Sequence, residues 1–258
     1  MKVAVAGAGG KMGRALIEAV QADSSLELAA ALEVAGSPAL GTELAGVKVG
    51  SDIRAAVLAA DLLIDFTRPE GTLAHLDACV AAGKSMVIGT TGFNAAQLSR
   101  IREGANRIAI VLSPNFAVGV NVVFQLAETA AKALGDSYDV EIIEAHHRQK
   151  VDAPSGTALM LGQLVAGALG RNLDDVASHG REGDLGARPA KQIGFHAIRG
   201  GDIVGEHTVV FAGTGERVEV SVRSQSRLTY ATGALRAAKF LQGKKNGLYE
   251  MKDVLGLK

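Results

Sequence analysis

The chain has 258 residues with 27 Lys+Arg against 27 Asp+Glu, and its 32 glycines make up about 12% of it, against an average near 7%. Zero formal net charge excludes a protein that coats nucleic acid, which needs a basic surplus to neutralise phosphate, and 4% aromatic residues with no Trp provide no base-stacking platform. The single cysteine, Cys79, cannot form an internal disulfide, and no apolar run approaches the roughly 18–20 residues of a membrane span, so the expectation is a soluble, cytoplasmic α/β protein with no nucleic-acid or membrane partner. At its start, MKVAVAGAGG reads as a strand running into glycines rather than as a signal peptide.

In chain order, short β-type apolar runs alternate with longer Ala-rich segments of helical period. Residues 3–6 form a buried strand, 11–22 a helix with Leu16, Ile17 and Val20 inward, and 26–32 a second strand. A short helix is predicted over 52–60 with Ser51 as its N-cap. A strand over 62–66 then precedes a helix over 69–82 that opens on Pro69 and ends at Gly83. Strands over 85–88 and 108–112 flank a helix over 95–103. Strand–helix alternation of this kind implies a parallel sheet covered on both faces.

After about Asn115 the pattern changes. A helix over 120–134 and a strand over 139–145 lead into a loop rich in His and basic residues, then a helix over 155–169. Residues 171–191 read as a long polar loop, and long loops are commonly functional or mobile. Three β-type runs, 192–199, 206–212 and 217–224, read as antiparallel strands of a second α+β domain, and an Ala-rich helix over 229–241 returns to the first. The expected division is therefore 1–117 with 227–258 as a Rossmann-type dinucleotide-binding domain, and 118–226 as a second domain with a mixed or antiparallel sheet. Hinges are expected near 115–120 and 226–228.

The glycines concentrate first at VAVAGAGGKMGRALIEAV. Gly7, Gly10 and Gly13 stand three apart with Gly9 inserted, and the third position of the usual dinucleotide fingerprint is Met12, so the motif is a shifted G-x-x-G-x-x-G. A tight turn between strand and helix lets the backbone approach a pyrophosphate and points free N–H groups at it. Glu33 follows Gly13 by 20 positions, at the end of the second strand, where a carboxylate accepts from ribose hydroxyls. An acidic residue there repels the 2′-phosphate of NADP, no base follows in Val34, Ala35 or Gly36, and Lys11 is the cation placed to meet such a phosphate. NADH is therefore expected to serve at least as well as NADPH. Gly89-Thr90-Thr91-Gly92 and Ser113-Pro114-Asn115-Phe116 follow two further strands at the same edge of the sheet, where open α/β folds bind ligands, and their recurrence there favours nicotinamide and ribose contacts over ordinary loops.

The second concentration of chemistry is EAHHRQKVDAPSGTA, residues 144–158. His146, His147, Arg148 and Lys150 stand just before Ser155-Gly156-Thr157, where Ser155 is a natural N-cap and the next amides face outward as an anion site. Two imidazoles, an ammonium and a helix N-terminus suit a small dicarboxylate, and His exchanges protons near neutral pH. Paired His is also a metal pattern, but only Glu144 and Asp152 lie nearby as further ligands, so no metal is expected. Alone, this loop reads equally as a substrate site or a solvated turn; a dinucleotide site elsewhere in the chain favours the substrate.

AGAGGKMGR, IDFTRPEGTLAH, VIGTTGF, SPNFAVGVN, IEAHHRQKVDAPSGTAL and GDIVGEHTVVFAGTGE together resemble the 4-hydroxy-tetrahydrodipicolinate (dihydrodipicolinate) reductase family almost end to end. The resemblance implies NAD(P)H-dependent reduction of 4-hydroxy-tetrahydrodipicolinate with loss of water, in the diaminopimelate route to lysine, by a homotetramer built through the sheet of the second domain. It implies His146 as proton donor/acceptor and Lys150 as second proton donor, with His147, Gly156 and Thr157 holding the substrate carboxylates. The dinucleotide contacts it implies are Gly7, Ala8, Gly9, Gly10, Lys11, Met12, Glu33, Gly89, Thr90, Thr91, Ser113, Pro114, Asn115 and Phe116. Many members carry Arg directly after the acidic residue, where this chain has Val34. Another two-domain Rossmann dehydrogenase, such as an amino-acid dehydrogenase, and a non-catalytic NAD(H)-binding module are the competing readings.

Overall fold

The structure is a computed structural model that describes residues 1–257. It divides into two compact units, Met1–Val118 with Arg227–Lys258, and Gly119–Ser226. The first is built on β1 (Lys2–Ala6), α1 (Lys11–Gln21), β2 (Glu27–Leu32), β3 (Glu43–Leu44), β4 (Val47–Gly50), α2 (Ile53–Ala59), β5 (Leu62–Asp65), α3 (Pro69–Ala82), β6 (Ser85–Ile88), α4 (Ala95–Ala105) and β7 (Ala109–Leu112). α5 (Val118–Leu134) leads into the second unit, which holds β8 (Asp139–His146), α6 (Gly156–Ala168), α7 (Leu173–Val176), β9 (Ala177–His179), β10 (Ile193–Arg199), β11 (Gly205–Ala212) and β12 (Arg217–Ser224). α8 (Leu228–Leu241), β13 (Gly247–Tyr249) and α9 (Met251–Leu255) complete the first unit.

The first sheet runs in the order β13-β7-β6-β5-β1-β2-β4-β3, with every pair parallel except β3 against β4. Its central strands are apolar except at their ends, at Lys2, Asp65 and Ser85, because both faces are covered. Val3 and Val5 pack into one core with Leu16, Val20 and the α8 residues Ala234 and Ala238. Ala4, Leu63, Met86 and Ile88 pack into the other with Leu76 and Ile101. Helix boundaries follow local chemistry: Pro69 opens α3, and Gly83 closes it at φ 64. The N-cap of α2 is Asp52, whose side chain accepts from the Ala55 amide, rather than the expected Ser51. Aspartate and serine cap about equally well, so backbone context rather than residue type decided between neighbours.

The second sheet is mixed, in the order β12-β11-β8-β10-β9. The antiparallel expectation holds for β11 against β8 and β12, whereas β10 is parallel to both β8 and β9. Within the expected loop 171–191 lie α7 and β9, and β9 supplies the edge that pairs with β10. Three-residue pieces such as β9 and β13 are too short to leave a periodic signal, which is why sequence patterning passes over them. Arg181 and Arg188 fasten the remainder of this segment to the sheet through Glu141 on β8, at 2.8 to 3.0 Å. His196 Nε2 joins the same carboxylate at 2.7 Å.

Alternate residues of β8 carry the argument from core to site. Val140 and Ile142 face the core that Ala127, Ala131, Leu161 and Val165 complete. Two and four positions further on, the same face presents Glu144 and His146, both buried. Among the described residues, no helix is long and apolar enough to cross a membrane.

Candidate functional sites in the two units

In the first unit the glycine turn follows β1. Gly7 adopts φ +70, and a Cβ on Gly13 would overlap the Gly7 carbonyl oxygen, so the shifted motif puts its close-packing glycine at position 13 where a Met12-centred fingerprint has none. Gly10 caps α1 without any side-chain hydrogen bond, which leaves the helix N-terminus to an external anion. Glu33, just past β2, accepts from the Gly9 amide through Oε1 at 2.8 Å, so its carboxylate stands beside the turn as the spacing predicts. Lys11 is exposed on the first turn of α1, and Arg14 joins it there, its Nε donating to the Gly9 carbonyl at 3.2 Å. Nothing in the sequence marks Arg14, because a position one turn into a helix is ordinarily solvent-facing. Ala8 is buried and its amide is spent on the Leu32 carbonyl, so its part is close approach rather than hydrogen bonding.

The other two predicted loops stand at the same edge. Gly89 lies under the Phe66 ring, which a Cβ would overlap, and Thr90 is buried behind it. Ser113 Oγ donates to the Asn115 carbonyl at 2.8 Å and Asn115 Oδ1 accepts from the Ala117 amide at 2.9 Å, which stiffens the loop. The Phe116 ring is buried 5.3 Å from that of Phe66, so Phe116 presents main chain rather than ring. Gly7–Met12, Glu33, Gly89–Thr91 and Ser113–Phe116 therefore all follow carboxyl ends of strands in one sheet. Glycines without room for Cβ, an uncapped helix N-terminus and a carboxylate at the second strand end fit a dinucleotide.

In the second unit, His146 Nδ1 lies 2.6 Å from Glu144 Oε2. Arg199 grips the same carboxylate with two nitrogens at 2.8 and 2.7 Å, and the Ser155 amide donates to Oε1 at 3.1 Å. Glu144 is 1% exposed, and four donors on one carboxylate are what its burial demands. Burial alone would raise its pKa, but the bonds from Arg199 and His146 outweigh that and hold it low. As an acceptor only, ionised Glu144 accepts a hydrogen bond from His146 Nδ1–H, which keeps that proton on Nδ1 and leaves Nε2 as the exchangeable position. Burial pushes the His146 pKa down, Glu144 opposes that shift, and the charges of Lys150 and Arg199 reinforce it.

Around this pair, His207 stands edge-on to His146 at 5.2 Å between ring centroids, its Nε2 2.8 Å from Ser155 Oγ. Burial drives the His207 pKa down to about 4, so it is a neutral partner. Ser155 caps α6 as predicted, accepting from the Ala158 amide at 3.2 Å, and Gly156 and Thr157 form the helix's first turn. Lys150 Nζ pairs with both oxygens of Asp152 at 2.8 Å. The Nδ1 atom of His147 is buried with no hydrogen-bond partner among the described residues. In the sequence Glu144 reads only as a candidate metal ligand, and nothing in the local pattern marks Arg199 or His207. Strand register brings them in: Arg199 lies opposite His146 on β10, and His207 opposite Glu144 on β11.

A doubly wound parallel-sheet unit with a glycine turn, followed by a mixed-sheet unit carrying a His–Glu pair and a basic loop, defines a two-unit oxidoreductase of the dinucleotide-using class. Family comparison makes this specific. The chain matches the family models "Dihydrodipicolinate reductase, N-terminus" over residues 1–116 and "Dihydrodipicolinate reductase, C-terminus" over residues 119–255, and so belongs to the dihydrodipicolinate reductase family, oxidoreductases of diaminopimelate and lysine biosynthesis. It is 57% identical over 265 residues to the 4-hydroxy-tetrahydrodipicolinate reductases of Cupriavidus metallidurans and Burkholderia multivorans, covering 100% of each chain. Among solved structures, it is similar to dipicolinate-bound dihydrodipicolinate reductase from Paenisporosarcina sp. TG-14, with a TM-score of 0.79, 26% identity and 97% of both chains covered. A probable dehydrogenase from Thermotoga maritima shares the fold at 12% identity, with a TM-score of 0.63 over 100% of this chain and 93% of that one.

Proposed function

We propose that His146 and Lys150 are the proton-transfer residues of the chain's 4-hydroxy-tetrahydrodipicolinate reductase activity, which gives tetrahydrodipicolinate with loss of water, and that NADH or NADPH is its reductant. The observation that carries the site assignment is the Glu144–His146 pair beside an unpartnered His147 Nδ1 and the α6 N-terminus. When bound, the reduced nicotinamide would supply the hydride, and Gly7–Met12, Glu33, Gly89–Thr91 and Ser113–Phe116 would hold the dinucleotide.

Once water has left, hydride addition to the conjugated C=C–C=N system generates an enamine-like anion that must take up a proton. His146 Nε2, its opposite nitrogen fixed by Glu144, delivers that proton, with Lys150 as second donor. His147, Gly156 and Thr157 hold the two carboxylates and so fix the ring before transfer. A dianion binding here raises the affinity of His146 for its proton, which offsets the lowering by burial just when the proton is needed. Lys150, paired to Asp152 at 2.8 Å, exchanges that partner for substrate. A bound dipicolinate in the Paenisporosarcina relative supports a planar dicarboxylate as the ligand class.

Glu33 followed by Val34 favours NADH used at least as well as NADPH. The open face of the second sheet carries exposed Ile143 and Ile198, which supports assembly of copies into the homotetramer that the resemblance implies. The deciding assay follows reduced-nicotinamide oxidation on substrate freshly generated by dihydrodipicolinate synthase, with NADH against NADPH and pyridine-2,6-dicarboxylate as competitor. Turnover that pyridine-2,6-dicarboxylate competitively inhibits is the expected result. Tight NADH binding without turnover would instead mark a non-catalytic dinucleotide-binding protein.

A further inference from the structure

At the carboxyl end of β5 a second buried carboxylate stands apart from the proton-transfer residues. Asp65 is 0% exposed, whereas the strand leading to it, Leu62–Ile64, is wholly apolar. Its Oδ1 accepts from the Thr67 amide at 2.8 Å, from Thr67 Oγ1 at 2.7 Å and from Thr90 Oγ1 at 3.3 Å. Its Oδ2 lies 2.7 Å from His75 Nδ1, on α3. Thr72, also buried and also on α3, donates to Thr90 Oγ1 at 2.8 Å. The main chain adds a Gly89 amide on the Asp65 carbonyl at 2.8 Å.

A carboxylate without solvent costs several kcal/mol unless its oxygens are matched by donors. Core stability alone is served by the leucines and isoleucines of the neighbouring positions. Every donor here instead belongs to the loop after β5, to the loop after β6 or to the helix between them, and Thr67 further touches the glycine turn, its Cγ2 being 3.1 Å from where a Gly7 Cβ would stand. Asp65 thus ties the loop after β5, which runs beside the glycine turn, and the Gly89–Thr91 loop to one helix. Thr90 is held by two hydroxyl bonds, so its rotamer, and with it the main chain of Gly89–Thr91, has one setting.

We propose that Asp65 and His75, with Thr72, are positioning residues for the nicotinamide half of the dinucleotide: they set the Gly89–Thr91 loop without touching the reacting atoms. This rests on the reading of the first unit as a dinucleotide site. His75 donates from Nδ1 to Asp65 and so keeps that carboxylate's second oxygen occupied; without it Asp65 is free to turn away from Thr67 and Thr90.

The test compares binding of NADH with binding of ADP-ribose, which lacks the nicotinamide, in His75→Leu, His75→Asn and Thr72→Val. In His75→Leu, Kd for NADH rises about tenfold, as for one hydrogen bond to a charged group, while Kd for ADP-ribose stays within about twofold. KM for NADH rises with it. His75→Asn, whose amide nitrogen reaches the Nδ1 position, restores NADH binding to within about threefold of the parent. Thr72→Val, an isostere that leaves no buried charge unmatched, weakens NADH about threefold and separates the effect from misfolding. Equal weakening of NADH and ADP-ribose, or no change in either, would overturn the proposal. Failure of the parent chain to bind ADP-ribose would instead sink the dinucleotide reading itself.

Discussion

Replacing Glu144 by Gln keeps the side chain's volume and removes one buried negative charge. In the native arrangement Oε2 accepts from His146 Nδ1 and one Arg199 nitrogen, at 2.6 and 2.8 Å, while Oε1 accepts from the other Arg199 nitrogen and the Ser155 amide, at 2.7 and 3.1 Å. Whichever way the amide turns, its NH2 end faces two donors. The imidazole can move its proton to Nε2; Arg199 and the Ser155 amide have no such recourse. One or two charge-assisted bonds are lost at about 1.5–3 kcal/mol each, a destabilisation of about 3 kcal/mol. At 2–4 °C per kcal/mol for a chain of this size, Tm falls by roughly 6–12 °C.

The effect on activity has a sign. Burial lowers the His146 pKa and Glu144 opposes that, so Glu144→Gln lowers it further. The high-pH limb of kcat/KM, where the proton donor is lost, then moves to lower pH. Arg199→Met removes a charge that disfavours the imidazolium, and the same limb moves to higher pH. Steady-state kcat/KM measured across pH for both variants, with NADH affinity as the control, checks the pair of shifts. If the two limbs move together, or neither moves, the Glu144–His146–Arg199 reasoning is refuted.

His146→Gln and Lys150→Ala each lower kcat by about 10²–10⁴-fold, the range for lost acid–base chemistry, while NADH affinity is nearly unchanged; near-normal turnover in both would remove them from the mechanism. Val34→Arg supplies a base beside Glu33 and raises kcat/KM for NADPH relative to NADH by about tenfold, and an unaltered ratio would show that the 2′-phosphate lies elsewhere. His207 is 4% exposed and its pKa falls from 6.5 to about 4, so it binds its proton more readily in the unfolded chain. Its stabilisation is present above pH 6.5 and is lost, by about 3 kcal/mol, as pH falls to about 4. Urea unfolding of His207→Gln is accordingly flatter with pH in that window. Glu141 contributes a separate window, its pKa being held at about 2 by Arg181, His196 and Arg188 against the opposing effect of burial, so that stability is lost between pH 4.5 and about 2. A slope unchanged by His207→Gln above pH 4.5 would contradict the burial argument.

What the amino-acid sequence determined by itself is local or periodic. The alternation of apolar runs with Ala-rich helical segments sets the first unit, because strands buried on both faces must be apolar throughout. Gly7, Gly13 and Glu33 mark a tight glycine turn with a carboxylate beside it, since backbone conformation and steric exclusion are properties of single residues at fixed spacing. Ser155 and the basic loop before it announce the second site for the same reason. Tertiary structure decided what depends on strand register. It made β10 parallel to β8, which sets Arg199 beside His146, and paired β11 with β8, which sets His207 opposite Glu144. It also gathered Thr67, Thr72, His75 and Thr90 around Asp65. Partners separated by up to 63 positions in sequence, as Glu144 and His207 are (207 − 144), leave no periodic trace, because pairing between strands costs only the closure of the loop between them. The sequence thus marks the candidate loops, and the fold decides which buried charges hold their side chains in place.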